Sequence, residues 1–429
     1  MENINNKPFW KFLIVWIGQL ISTIGGGLTA FSLGVFVYQK THTATSFALI
    51  TLFSFLPSIL LRPLGGVFAD RFDRRLMMVI GDVGSASGLV FILFMMMTGH
   101  IELWHIYLGV TLSSLFIAIQ SPAYKASVTD LLSEEQFAKA SGLIQLSSSS
   151  QYLISPVLAG ILLSITDIKT VLIIDISTFL IAILAVLVIK KTLRPSPISP
   201  QKTSSLLYSL KEGWEAITTK PGVLPLIGII SIITFFVGFL QTLLGPMILA
   251  FSDAKTLGTL QSISATGMLV SSLYIGLFSK TEKMVNILVT GLGFGGLFFA
   301  LMGLTTHIFF ITSAGFLFFC ALPFINTSAD VLIRKNIDNE KQGRAWGLIG
   351  VISQLGYIIS YSLAGFLADQ VFNPLFMPGG LLASTLGNIL GTGQGRGIGF
   401  IFILSGSFVV LIAAITLRIK SIRVLANTN

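Results

Sequence analysis

Apolar residues fill this chain in long runs separated by short polar intervals, and the length of the runs is the informative feature. A helix that crosses a bilayer needs roughly 20 apolar residues. On that measure the pattern predicts twelve spans, at 9–37, 45–69, 76–98, 104–125, 140–165, 170–190, 223–250, 256–279, 284–306, 308–331, 345–368 and 397–418. The polar start, Met1 to Pro8, leads into a first run, Phe9 to Tyr38, without the compact core and small-residue processing site of a cleaved signal, so that run is expected to be retained as a span. The longest polar stretch, Lys190 to Gly222, carries Pro195, Pro197 and Pro200 and a candidate amphipathic helix around Ser204 to Thr218. It divides the chain into a six-span half at 1–190, a cytoplasmic linker at 191–222 and a second six-span half at 223–429. The expected fold class is an all-α membrane protein.

Composition agrees, with 53% hydrophobic and only 10% charged residues, where soluble domains carry about a quarter charged. The net charge of +9 would suit a nucleic-acid partner, but its distribution points elsewhere. With the N-terminus inside, 23 of the 27 Lys and Arg fall on the cytoplasmic side, and only Lys40, Lys169, Lys255 and Arg396 fall outside. The positive-inside rule then places both termini in the cytoplasm. The expected location is a bacterial cytoplasmic (inner) membrane, and no nucleic acid is needed to explain the charge. The single Cys320 allows no intrachain disulfide and no thiol or zinc pattern. Neither metal nor cofactor is expected.

The two halves are related. A shift of 205 residues lays Gly142–Gly160 on Gly347–Gly365 with ten identities in nineteen positions, among them Tyr152/Tyr357, Ser155/Ser360 and Gly160/Gly365. Upstream, Pro122 and Asp130 answer Pro323 and Asp330 across a loop of slightly different length. Parallel repeats of six spans, with a binding cavity between them, are a transporter arrangement.

The sharpest local signal is Gly66-Val-Phe-Ala-Asp70-Arg71-Phe-Asp73-Arg74-Arg75, at the cytoplasmic end of the second span. Glycine permits close helix approach, an aspartate sits well against a helix N-terminus, and arginines pair with carboxylates or anionic headgroups. Positive-inside anchoring alone would explain the arginines but not Asp70. This segment resembles the signature loop of the major facilitator superfamily, and Asp73, where a second glycine is usual, is a variant of the branch resembling macrolide and drug exporters. The resemblance implies a latch in which Gly66, Asp70, Arg71, Arg74 and Arg75 hold the cytoplasmic side closed in the outward-open state. The equivalent loop of the second half, Gly276-Leu-Phe-Ser-Lys280-Thr-Glu282-Lys283, has lysine where the aspartate would stand, so the latch is asymmetric.

Ser155-Pro156-Val-Leu-Ala159-Gly160 resembles the exporters' antiporter motif, with serine and alanine for two glycines; Pro156, Gly160 and its repeat partner Gly365 are read as helix-packing residues, and a mechanistic role is the other reading. The arginine that many proton-coupled drug exporters carry in the fourth span is missing. The Gly-rich external segment, Asn373 to Gly380 and Gly391 to Gly397, also resembles the macrolide-efflux branch, as do Gly18-Gln19 with Ser22 and Pro122-Ala123; without a strand and a Gly-Lys-Ser/Thr sequence the segment is no ATP site.

Ionised side chains at membrane depth face a cavity or a partner. Arg62 and Asp82 lie at similar depth, so an ion pair across the second hairpin, a coupling role for Asp82, or no contact are all open. Asp175, near the external end of the sixth span, is expected to be hydrated, with coupling as the alternative. Gln19, Gln120, Gln145, Gln151, Gln241, Gln354 and Tyr357 are candidates for a substrate cavity, interhelical glue being the alternative for each glutamine. The implied function is secondary active export of a small amphipathic organic molecule, drug-like or siderophore-like, by a monomer using alternating access and proton coupling. An importer or a lipid or lysolipid flippase of the same fold is the alternative. A membrane-embedded enzyme or receptor has no HExxH, no nucleophile–base pair and no soluble catalytic domain in its favour.

Overall fold

The computed structural model describes residues 9–189, 206–278, 283–338 and 341–425; the side chains at 62, 63, 66, 70, 129, 134, 138, 206–210, 278 and 343 lie outside the description. Side-chain detail at the latch residues Gly66 and Asp70 and at Arg62, and linker residues 191–205 altogether, are therefore outside the description.

Among the described residues twelve helical segments are long and apolar enough to cross a membrane, with the two helices within Lys139–Ile165 counting as one. The elements in order are α1 (Phe9–Thr41), α2 (Ala44–Arg71), α3 (Arg74–Met97), α4 (Leu103–Leu131), α5 (Phe137–Leu153), α6 (Ser155–Ile165), α7 (Ile168–Val188) and α8 (Leu206–Thr218). They continue with α9 (Val223–Leu249), α10 (Ala254–Phe278), α11 (Met284–Met302), α12 (Ile308–Asn336) and α13 (Gln342–Phe366). A π-helical turn (Leu367–Phe372) leads to α14 (Asn373–Phe376), α15 (Gly387–Leu390), α16 (Arg396–Arg418) and α17 (Lys420–Val424). No strand occurs among the described residues.

The fifth span is broken in two. Pro156 has no N–H to donate and its ring crowds the preceding turn, so the helix ends at Leu153 and restarts as α6.

Two compact units emerge from the contacts. Unit 1 holds Met1–His42, Leu49–Gln201 and Ala254–Thr259; unit 2 holds Thr43–Ala48, Lys202–Asp253 and Leu260–Asn429. The first turns of α2 and α10 thus each pack in the other unit from the rest of their helix.

In unit 1, α3 packs on α4, and α1 on α7. In a bilayer such contacts depend on close packing rather than on removal from water. Gly88 and Gly109 meet at the α3–α4 crossing, where a Cβ on Gly88 would stand 2.3 Å from the Gly109 carbonyl. One apolar core gathers Phe12, Met78, Ala123, Leu132 and Val186; another, toward the other end, gathers Leu33, Ile92, Ile106 and Leu172.

In unit 2, α9 packs on α13, and α11 on both α12 and α16. Gly296 and Gly406 repeat the glycine crossing between α11 and α16. The core there takes in Leu226, Leu288, Leu332 and Ala345, and it extends to Ile217 of α8 and Ile422 of α17, which fastens both amphipathic ends to the bundle.

Candidate functional site

The loop between α2 and α3 is built from its own capping chemistry. Asp73 is the N-cap of α3, its Oδ1 accepting from the backbone N–H of Arg75 at 2.8 Å and of Leu76 at 3.2 Å. An N-cap carboxylate satisfies donors that the helix start would leave free. The residue that departs from the usual glycine therefore has a structural task, starting the helix that carries the arginines. Arg74 Nη1 donates to Asp130 Oδ1 at 2.8 Å and to the Ala126 carbonyl at 2.8 Å, both on α4. The pair is largely buried, at 22% and 11% side-chain exposure. Arg75 Nε donates to the Val186 carbonyl at the end of α7, at 3.2 Å. Two adjacent arginines thereby tie α3 to α4 and to α7, while Arg71 is exposed.

Deeper in unit 1, three polar side chains on three helices form a chain. Gln120 Nε2 donates to Gln19 Oε1 at 2.6 Å, and Gln19 Nε2 donates to Asp82 Oδ2 at 3.4 Å. All three are buried. The position of the Arg62 guanidinium relative to Asp82 lies outside the described residues.

Asp175 departs from expectation. It is 1% exposed rather than hydrated. The reason sits on the facing helix: Gly25 of α1 has no side chain, and a Cβ there would stand 2.5 Å from Asp175 Oδ1, so α1 closes over the carboxylate. Thr178 Oγ1 donates to Oδ1 at 3.2 Å.

In unit 2, α9, α12 and α13 enclose a cavity of about 450 Å³. Its wall is apolar along Ile230, Ile233, Val237, Ile325 and Ile333, and polar at Thr234, Asn326, Thr327, Ser353 and Tyr357. Among the described residues Asp330 is the one formally charged lining residue, and Trp346 adds an indole. At the rim, Arg334 Nε donates to Asp330 Oδ2 at 2.7 Å, and the Arg334 Cζ lies 5.3 Å from the Trp346 ring centroid. The Asp330–Arg334 pair is half exposed, at 42% and 58%, and such pairs hold weakly. A cavity of this size is within the range that takes a drug-sized molecule.

Of the residues singled out from the sequence, Tyr357 lines this cavity and none of the glutamines does. Gln145 and Gln241 are exposed, and Gln241 accepts from the Tyr361 hydroxyl. Gln151 is half-buried, and Gln354 has its Oε1 buried without a hydrogen-bond partner. Pro156 and Gly160 are buried in unit 1 at the first turn of α10: a Cβ on Gly160 would stand 2.7 Å from the Ala254 carbonyl, and one on Gly258 2.1 Å from the Pro156 carbonyl. Gly365 meets the first turn of α2, its added Cβ 2.3 Å from Thr45 Cα. Sequence reasoning passed over Asp330, Trp346, Thr234 and Asn326. The signal available was the repeat, which aligned Asp130 with Asp330 and so marked one acid at the same point of each half.

The family model of the Major Facilitator Superfamily matches residues 15–361. Macrolide efflux protein A of Streptococcus pyogenes is 26% identical over 99% of each chain. The staphyloferrin B transporter of Staphylococcus aureus is 22% identical, over 72% of this chain and 75% of its own. Among solved structures, the nucleoside transporter NupG aligns at a TM-score of 0.71 and 13% identity, covering 95% of this chain and 98% of that one. A bacterial homologue of the iron transporter ferroportin in its inward-facing state aligns at 0.68 and 13%, covering 96% and 99%.

Proposed function

Because the chain belongs to the major facilitator superfamily, we propose that it exports an amphipathic organic molecule by alternating access, with protons moving in the opposite direction. It is a multi-pass membrane transporter and not an enzyme. The observation that carries the proposal is the unit 2 cavity, drug-sized and mostly apolar, with a few hydrogen-bonding groups and one carboxylate. Its carboxylate favours a cargo with an amine, which can take the place of Arg334 in the half-exposed pair that Arg334 makes with Asp330 at the rim. Of the two cargo types in the relatives' names, a macrolide is the one to try first.

The halves act as similarly oriented repeats, 1–190 and 223–429, joined by the linker at 191–222. The loop from Gly66 to Arg75 is the cytoplasmic latch of the first half. Its ties from Arg74 to Asp130 and from Arg75 to Val186 support that role, since they make the arginines part of the helix ends that have to move. Asp82 and Asp175, buried carboxylates on α3 and α7, are the intramembrane candidates for carrying the coupled proton.

Binding is tested with purified protein and a fluorescent macrolide. Asp330→Asn is expected to weaken binding about tenfold, the loss of one charge-assisted contact, and to leave a neutral analogue unaffected. Equal affinity of wild type and Asp330→Asn for the amine would remove the cavity from the account. Uptake in place of export, or movement of a lysolipid, would transfer the chain to the alternative functions.

A further inference from the structure

The start of α2 is held by a side chain 325 residues away. Asp369 Oδ1 accepts from the Ala44 N–H at 3.0 Å, and Oδ2 accepts from the Thr45 N–H at 2.8 Å and from the Thr45 hydroxyl at 2.7 Å. These N–H groups are among the four that a helix start leaves without intrahelical partners, and a carboxylate there also complements the positive end of the helix dipole. Two features of α13 deliver the carboxylate. Gly365 lets the backbones approach to a distance that any Cβ would forbid. The π-helical turn Leu367–Phe372, which contains Asp369, then departs from the α-helical path; such turns recur at functional sites.

The chain's own repeat provides a control. The shift of 205 lays Gly160 on Gly365 and Ser164 on Asp369. Gly160 approaches the first turn of α10 as closely as Gly365 approaches that of α2. Ser164, however, turns back on its own helix and donates to the Ile161 carbonyl at 2.7 Å. The close approach is duplicated and the carboxylate is not. The opposite asymmetry occurs at the other end of α2, where the first half has Asp70 and the second has Lys280. Each half thus supplies one aspartate, at opposite ends of a helix about 40 Å long.

We propose that Asp369 is a second gating residue, whose carboxylate latches the first turn of α2 and releases it during the transport cycle. The inference rests on the alternating-access reading. Thr43–Ala48 packs in unit 2 and the remainder of α2 in unit 1, so any relative movement of the units strains this turn. Asp369 is half-buried, and water can replace its bonds as the turn withdraws.

The test needs no cargo. Full-length protein carrying Cys320→Ala and Ser353→Cys is placed in lipid nanodiscs, and the labelling rate of the new thiol by an impermeant maleimide reports how open the unit 2 cavity is. Asp369→Ala is expected to slow labelling about fivefold, the effect of losing a helix cap on a two-state balance, and Asp369→Asn, which keeps one accepting oxygen, to slow it less. Thr45→Val, which removes only the hydroxyl contact, is expected to slow it less. A static strut would leave the rate of folded variants unchanged, and an unchanged or raised rate overturns the proposal. Should both Asp369 variants fail to fold, Thr45→Val decides by the same criterion. A wrong cargo leaves this result standing, whereas an unmoved rate removes the latch whatever the cargo.

Discussion

At the scale of single residues, the two arginines that open α3 reach different helices, Arg74 through the Asp130 carboxylate on α4 and Arg75 through the Val186 carbonyl on α7. Arg74 reaches Asp130 in a largely buried setting, so removing either partner takes a charge-assisted bond from the other. Asp130→Asn is expected to cost about 1.5–3 kcal/mol, the range for a hydrogen bond to a charged group, and Arg74→Gln a similar amount. The double variant is expected to lose less than their sum, with a coupling of about 1 kcal/mol, read from denaturant unfolding in detergent. Strictly additive losses would mean that the pair does not act as a unit. Asp73 carried a signal that the sequence reading passed over in noting only its departure from glycine: an aspartate just before a run of helix-compatible residues is an N-cap signal, and the structure uses it so. The burial of Asp175 was not legible, because it depends on Gly25, 150 positions away on another helix.

At the scale of elements, the spans were legible because a bilayer imposes a length on each apolar run, and the helices observed follow the expected runs closely. Legibility failed where an element's ends are set by distant partners. The first turn of α2 looks like any polar helix start, and nothing local announces Asp369. The interruption at Pro156 was not predicted, since 140–165 was read as one span, although proline is a local signal for it; the packing of Pro156 against α10 had no local signal. Two predictions belong here. Gly365→Val places branched carbons where a Cβ alone would be 2.3 Å from Thr45 Cα; the first turn of α2 is expected to be displaced, with faster amide exchange at 44–48 by mass spectrometry. Protection equal to wild type would contradict the close approach. The second uses Thr45→Cys with Asp369→Cys in a Cys320→Ala background, where the side chains already touch. An oxidised disulfide is expected to arrest transport and a reductant to restore it, and undiminished transport by the cross-linked protein would mean that this turn does not move.

At the scale of the whole molecule, the charge asymmetry predicts which side each loop occupies. Lys255 is exposed at the start of α10 and suits a test of it, whereas Arg396, counted with the outer charges, is 2% exposed and donates from Nη2 to the Gly303 carbonyl at 3.0 Å. In a Cys320→Ala background, a cysteine replacing Lys255 is expected to react with an impermeant thiol reagent added to intact cells, and one replacing Lys202 is not. The reverse pattern would invert the orientation. The family was legible in the signature loop and the internal repeat, since both record contacts between sequence neighbours or between copies of one segment. The cavity was less so, because its lining is gathered from α9, α12 and α13 and many of its residues are ordinary isoleucines and threonines until they are brought together.

The central claim is that a proton gradient drives an amphipathic amine out through this protein, and everted membrane vesicles test it most directly. With the lumen made acid, vesicles containing the protein are expected to accumulate a radiolabelled macrolide against its gradient. Accumulation is expected to collapse when a protonophore is added and to fall sharply in the Asp70→Asn variant. Uptake that is independent of the pH gradient, or that occurs only in right-side-out vesicles, would contradict the account.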